Sequence, residues 1–470
     1  MALGEQKISE ILEDAQKALD QEKDLSPSFR ATIDLLIVIV TLLANQMGLN
    51  SRNSSKPPSS DNVPRKKNKK PSEKKPGGQK GHLGSRLVPV SDPDSTIKLK
   101  IDRRTIPKGT YSNAKPETRQ VFDFEIKRIV TEYEAEVLVD SNGKRFVAKF
   151  PNEVTQKTQY GPGLKAQVVY DSQSQLIPYD RIVEDLSENA GMPISSGSVY
   201  NFIQDAYEKL EEFETVVKAK LIASPVAHVD ETGINIGGER VWLHTCSNEK
   251  WTFFMPHKKR GSEAMNDMGI LPFFNGVLCH DHWKPYFKYE CKHSLCNAHH
   301  LRELERAHKQ DGCKWAAELK NLLQKANKKK IDQNGNISST LQKKFRSEYR
   351  EILKNGERET PPPDPSPPGK RGRLKKSKAR NLLERLRDYE EEAMRFITAE
   401  NIPFTNNQGE RDIRMTKVQQ KISGCFRSEN GAKYFSRIRG FISTCRKHDI
   451  NPAKALKDLF LGILPEFING

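Results

Sequence analysis

Apolar positions recur along this chain with two periods, and the changes of period divide it. Residues 5–49 repeat at helical spacing and predict two helices broken near Ser26-Pro27, with Ser26 or Ser28 placed to cap the second. In that second helix Ile33, Leu36, Ile37, Val40, Leu43, Ala44 and Met47 form a heptad-like stripe. So apolar a face needs a partner, either a second helix in a short coiled coil or the chain's own core. Residues 93–158 switch to strict alternation over 97–101, 120–130, 133–139 and 145–150, which predicts a small β module. Asp140-Ser141-Asn142-Gly143 is its hairpin turn. Over 159–220 the period is helical again: one helix at 179–187, a turn at Gly191-Met192-Pro193, and a helix capped by Ser196 that runs from 197 to about 213. This is a helix-turn-helix layout. Yet Val199, Phe202 and Tyr207 face a core while Asp205, Glu208, Glu211 and Glu212 load the other side with negative charge, which suits a packing bundle equally well.

From residue 221 the pattern is that of a sheet. Segments 226–230, 241–246 and 251–255 read as an antiparallel meander, 263–268 as a short helix, and 276–280 and 292–295 as a fourth and fifth strand before a helix that starts near Ala298. A mixed five-stranded sheet in this order is expected to be RNase H-like. Its first part covers 221–309 and its last part 401–470. Residues 310–400 interrupt it as a helical insertion, because a proline-rich and basic stretch (Pro361 to Gly369, then Lys370-Arg371-Gly372-Arg373) does not belong in a core. An amphipathic helix resumes over 379–399, Asn406 or Asn407 opens another that ends near Ser423-Gly424, and 431–448 form a last basic helix. The whole is an α/β multidomain chain, and its 470 residues allow about three domains.

Charge sharpens this picture. Lysine and arginine number 78 against 61 acidic residues, a net charge of +17 that favours a polyanionic partner, nucleic acid foremost. Much of the excess lies in 50–92, a proline-rich polar arm with almost nothing to bury. Its Lys66, Lys67, Lys69, Lys70, Lys74, Lys75 and Lys80 are expected to grip phosphates through counterion release. The alternative is a solubilising linker. Seven cysteines with no even framework point to a reducing compartment. The N-terminus lacks the form of a signal peptide, and the apolar run 35–44 falls short of a membrane span. A cytoplasmic protein is expected.

Three acidic positions carry the candidate chemistry: Asp230 and Asp281, each after a short apolar run read as a buried strand, and Glu410 on a helix. A carboxylate at the end of a buried strand is costly without a cation beside it. Two such aspartates and a glutamate can hold a pair of divalent cations, and two such ions drive in-line phosphoryl displacement. Singly, each acid has a plainer reading: Asp230 as a turn residue, Asp281 as a helix N-cap, Glu410 as the end of a capping box begun at Asn407. Glu231 belongs to the opposite strand face and is the weaker ligand. Arg411, Arg414, Lys417 and Lys421 give the Glu410 helix a basic face suited to a DNA backbone, extended by Lys433, Arg437, Arg439, Arg446 and Lys447. Cys291, Cys296, His299 and His300 have a spacing that suits zinc, Cys296 and His299 most sharply. A full zinc site is disfavoured because the ligands straddle a strand and a helix start, so a structural junction is the default.

At these motifs the chain resembles the DDE transposases of the insertion sequence 66 family. The resemblance runs almost end to end: Asn53-Ser54-Ser55-Lys56-Pro57-Pro58-Ser59-Ser60-Asp61, the basic turn 76–82, His228-Val229-Asp230-Glu231-Thr232, and Cys296-Asn297-Ala298-His299 with Arg302-Glu303-Leu304. It continues through residues 379–386 and is most specific at Pro403 to Arg414 and Lys421 to Ser428, which includes Arg427. The resemblance implies Asp230, Asp281 and Glu410 as a catalytic triad holding Mg²⁺ (two per site, or Mn²⁺). It also implies DNA as partner (terminal inverted repeats and target), a homo-oligomer on DNA, and accessory proteins of the same element. Such transposases usually carry a cysteine-pair zinc module, whereas residues 93–158 contain no cysteine, so that module folds without metal here. The expected function is metal-dependent cleavage at element ends followed by strand transfer. The alternatives are a structure-selective nuclease of the same fold and an inactive, transposase-derived DNA-binding protein.

Overall fold

A computed structural model of the chain describes residues 5–22, 25–47, 87–363 and 376–469. The chain divides into two units, residues 63–131 and the remainder, each taken by itself. In the smaller unit the described residues form no helix or strand, only turns and bends between irregular stretches. The alternating stretches at 97–101 and 120–130 enter no ladder, and Ile97, Leu99, Val121 and Phe124 stay exposed. The expected β module is therefore reduced to one hairpin in the larger unit, β1 (Val137–Val139) with β2 (Arg145–Val147), closed at Asp140 with Gly143 at φ +77°. Alternation alone does not make a sheet when no second layer covers its apolar side.

In the larger unit, α1 (Glu5–Gln21) and α2 (Pro27–Met47) break where the proline predicts, and Ser26 Oγ accepts the Phe29 N–H at 3.3 Å. Within the stripe of α2, Leu36, Val40 and Leu43 are exposed while Ile33, Ile37 and Ala44 are partly covered. Its window Pro27–Ala44, mean hydropathy 1.8, is by length and composition apolar enough to cross a membrane, although the sequence reading stopped at the shorter run 35–44. Next come α3 (Pro162–Gln173), α4 (Tyr179–Ala190), α5 (Ser196–Lys209) and α6 (Glu211–Ile222). Gly191 ends α4 in the left-handed region at φ +56°, and Ser195, one residue before the expected Ser196, caps α5. Val199, Phe202, Ile203 and Ala206 of α5 are buried in one apolar core with residues of α3, α4 and α6. That is a bundle, with the apolar face of α5 spent on packing.

The sheet holds β3 (Val226–Ile236), β4 (Glu239–Ser247), β5 (Thr252–His257), β6 (Val277–His280) and β7 (Lys292–Leu295) in the order β5-β4-β3-β6-β7. β3, β4 and β5 are antiparallel, while β6 is parallel to both β3 and β7. Gly237 and Gly238, both at positive φ, form the two-residue turn between β3 and β4. Gly276 lets β6 start hard against β3, because a Cβ there would lie 2.6 Å from the Ser224 carbonyl oxygen. A short helix, α7 (Ser262–Asp267), precedes β6.

Helices α8 (Asn297–Asp311), α9 (Lys314–Asp332), α10 (Ser339–Glu359), α11 (Lys378–Asp388) and α12 (Glu390–Met394) gather around a core of their own that includes Trp315, Tyr349, Leu383 and Phe396. The single helix expected over 379–399 breaks at Tyr389. Lys330 Nζ then donates to the carbonyls of Phe396, Ala399 and Ile402, pinning the segment that returns to the sheet. The chain closes with α13 (Asn407–Ser423), α14 (Glu429–Lys447), α15 (Pro452–Phe460) and α16 (Glu466–Asn469). One sheet face buries Ala227 and Val229 with α3–α6 and α14; the other buries Ile234 and Ile236 against Ile413 of α13 and Phe426. The period-2 pleat thus assigns His228 and Asp230 to the face that α13 covers.

Candidate active site

Strand register brings the first two acids together. β3 and β6 pair in parallel from Val226↔Val277 to His228↔Cys279. Carried two residues further, the same register sets Asp230 level with Asp281, on neighbouring strands about 4.8 Å apart. One expectation needs correction. Asp230 is not at a strand end, because β3 continues to Ile236 against β4, where Asp230 faces Thr245. Only its β6 side ends there, and that opens the edge beside the carboxylate.

The third acid arrives on α13, which lies along β3. At its start Asn406 Nδ2 donates to the Val229 carbonyl at 2.7 Å and Asn406 Oδ1 meets His228 Nδ1 at 2.8 Å. Further on, Lys417 Nζ donates to the Gly233 carbonyl. Between these two ties the helix advances about 16 Å and the strand about 13 Å. Glu410, about 6 Å along the helix, therefore falls level with Asp230. The N-cap is Asn406, which makes no side-chain cap because its amide is spent on β3; Asn407, the expected start of the capping box, already lies inside the helix.

The electrostatics agree with this placement. Burial, and then the charges of Glu231, Asp281 and Glu410, push the Asp230 carboxyl up to about 7. Glu410 is held below the usual carboxylate range, first by its hydrogen bond with His299 (Nε2 to Oε1, 3.3 Å) and then by Arg302 and Arg414. Asp281 Oδ1 accepts the Trp283 N–H at 2.9 Å, and Asp230 Oδ1 that of Glu231 at 2.9 Å. Among the described residues neither aspartate has a lysine or arginine partner. The site is short of positive charge where a divalent cation would supply it.

A network that the sequence reading missed supports the loop after β6. Glu231 points to the opposite face, as its parity requires. There it pairs with Arg260 (2.6 Å) and accepts from Tyr286 Oη at 2.5 Å. The Arg260 guanidinium lies over Trp283 at 4.2 Å and Trp242 at 4.7 Å. Since Trp283 and Tyr286 follow Asp281, this network fixes the loop that carries it. Only the odd-even step from Asp230 to Glu231 hinted at it.

At the start of α8, Cys296 Sγ accepts the Asn406 N–H at 3.1 Å, and ligand atoms of Cys296, His299 and Glu410 all lie within 4.8 Å of one another. Cys291 is not in that group, and neither is His300, whose Nδ1 is bonded to Asn297 Oδ1. Of the expected DNA-facing cations, Arg411, Arg414, Lys421 and Arg427 are exposed, whereas Lys417 is tied to β3. Lys66, Lys67, Lys69, Lys70, Lys74, Lys75 and Lys80 lie outside the described residues. The expected basic surface on α14 is reduced to Lys433 and Arg446, both exposed, with Arg446 donating to Ser174. Arg439 is buried against the carbonyls of Gln173 and Ser174, Arg437 pairs with Glu214, and Lys447 pairs with Asp412. The apolar residues that share α14 bury much of it and carry these three heads into the protein.

Fold and site thus describe an α/β protein with a mixed sheet and carboxylates from two strands and a helix at one level of it. The chain belongs to the IS66 family of transposases, whose family model matches residues 157–434. A second model, of a family of unknown function typical of the N-terminus of IS66 transposases, matches residues 5–87. No curated protein matches the chain. Membership makes it a DNA-processing enzyme with a transposase role, and implies DNA binding and a divalent metal cofactor.

Proposed function

We propose that the chain cuts DNA at the ends of a mobile element and joins the freed 3′-hydroxyl to target DNA, from an RNase H-like domain interrupted by residues 310–400. The observation that carries this reading is Asp230: raised first by its burial, then by the charges of Glu231, Asp281 and Glu410, and without a basic partner among the described residues. That donor set, all carboxylate oxygen, suits Mg²⁺ or Mn²⁺, and Asp230, Asp281 and Glu410 are the residues that would hold a pair of them. When bound, such ions supply Lewis acidity and a nucleophile at neutral pH for in-line displacement at phosphorus. The chain's own residues do the rest. Glu231, Arg260 and Trp283 hold the Asp281 loop, Asn406 sets the height of Glu410 against β3, and Arg411, Arg414, Lys421 and Arg427 bind the phosphate backbone without reading bases. The protein works in the cytoplasm as a homo-oligomer on DNA, with terminal inverted repeats, target and accessory proteins of the same element as partners.

The test incubates the full chain with inverted-repeat ends, Mg²⁺ and a supercoiled target. Joined product is expected. Cuts without joining would make it a nuclease, and a mobility shift alone a DNA-binding protein.

A further inference from the structure

Glu410 faces two ways. On one side its charge acts on Asp230, and on the other it meets a thiol and an imidazole that the phosphoryl-transfer reading leaves unused. We propose that Cys296, His299 and Glu410 form a separate three-ligand site for a soft divalent ion of the zinc class, with a fourth position open.

Three observations carry this. First, the ligand atoms are already gathered, all within 4.8 Å of one another. A tetrahedral ion with one sulfur at about 2.3 Å and N and O ligands near 2.0–2.2 Å has ligand–ligand edges of about 3.3–3.7 Å, and His299 Nε2 to Glu410 Oε1 measures 3.3 Å. Second, the sulfur is held in place. Cys296 is the N-cap of α8, and its Sγ accepts the Asn406 N–H at 3.1 Å. Burial pushes the free thiol up to about 11, and a bound cation would deprotonate it. Third, the backbone fixes the geometry. Cys296 and His299 sit on the first turn of one helix, while the Asn406 N–H that binds Sγ lies one turn before Glu410 on the other. The strand-to-helix junction that argues against a four-ligand zinc site is the very thing that assembles this one.

The chemistry separates it from the carboxylate site. Thiolate and imidazole select zinc-class ions over Mg²⁺, which takes oxygen ligands. Binding replaces the Cys296 S–H bond with an Sγ–metal bond and releases that proton to solvent. The proposal shares Glu410 with the phosphoryl-transfer reading but does not require that reading to be right.

Co²⁺ titration of the full chain tests it. A thiolate-to-cobalt charge-transfer band should saturate at one equivalent, be displaced by Zn²⁺, and persist in excess Mg²⁺. Cys296→Ser should remove the band, His299→Gln should weaken binding more than about a hundredfold, and Asp230→Asn should change neither. His299 is part-exposed at the surface of α8, so His299→Gln keeps the test open if the buried Cys296→Ser variant does not fold. A chain that shows no band, or a band that survives Cys296→Ser, overturns the proposal. A band that behaves as expected in a chain that neither cuts nor joins DNA leaves it standing and removes the phosphoryl-transfer reading instead.

Discussion

At the scale of single residues, Asp230 sets the pH behaviour. Its folded pKa, about 7, lies above the ordinary 3.8, so the folded state favours the protonated carboxyl. The stability this contributes is complete below about pH 4 and is lost as pH rises through about 7, at most a few kcal/mol. In the metal-free protein at pH 8, Asp230→Asn should therefore melt above the wild type, with the gap narrowing as pH falls below 7 and closing near pH 4. Added Mg²⁺ or Mn²⁺ should raise the wild-type melting temperature and leave the variant's nearly unchanged. Equal melting of the two proteins at pH 8 without metal would show that Asp230 carries no such strain. For turnover, Asp230→Asn, Asp281→Asn and Glu410→Gln should each lower cleavage by more than about a thousandfold. Gel shifts on the same DNA should stay near wild type, because none of the three grips the backbone.

Among the elements, α13 is the one whose position matters, and a single amide positions it. Asn406→Ala leaves the Val229 carbonyl and the buried His228 ring without partners, a cost of about 2–4 kcal/mol that denaturant melts would read. Cleavage should fall further than that loss of folded protein explains, since Glu410 rides on the same helix. The insertion is held differently, by close packing. A Cβ at Gly356 of α10 would lie 2.8 Å from Leu383 Cδ1 and 3.0 Å from Trp315 Cγ. Gly356→Ala should destabilise the insertion by about 1–3 kcal/mol. Limited proteolysis should then cut within 310–400 before it cuts the sheet. Uniform digestion would mean the two cores unfold together.

For the whole molecule, charge is the property that reaches DNA, and the fold reduces the number of cations that can. Arg437, Arg439 and Lys447 serve as internal anchors, leaving Arg411, Arg414, Lys421 and Arg427 of the expected cations exposed. Replacing Arg414, Lys421 and Arg427 together by glutamine should reduce the slope of log K against log salt by about 3, with little change in sequence preference. Replacing Arg439 and Lys447 should lower stability and leave that slope alone.

Much of this was legible in the chain itself. The order of five strands, the turn glycines and the strand carboxylates follow from local rules: period-2 alternation, backbone conformations open to glycine, and the cost of burying a charge. The helix breaks at Pro27 and Gly191 were readable for the same reason. Other features depend on what packs against what. Alternation at 97–101 produced no sheet because nothing covers it, and Arg437 and Arg439 of α14 turned inward because their neighbours are apolar. Asp230 sits inside a strand, yet its edge is open, because one sheet neighbour is shorter than the other. That Glu410 stands within electrostatic reach of Asp230 and beside Cys296 and His299 was decided by an asparagine amide reaching across to a strand some 180 residues away in sequence. Sequence spacing does not encode such a distance; only the folded chain does.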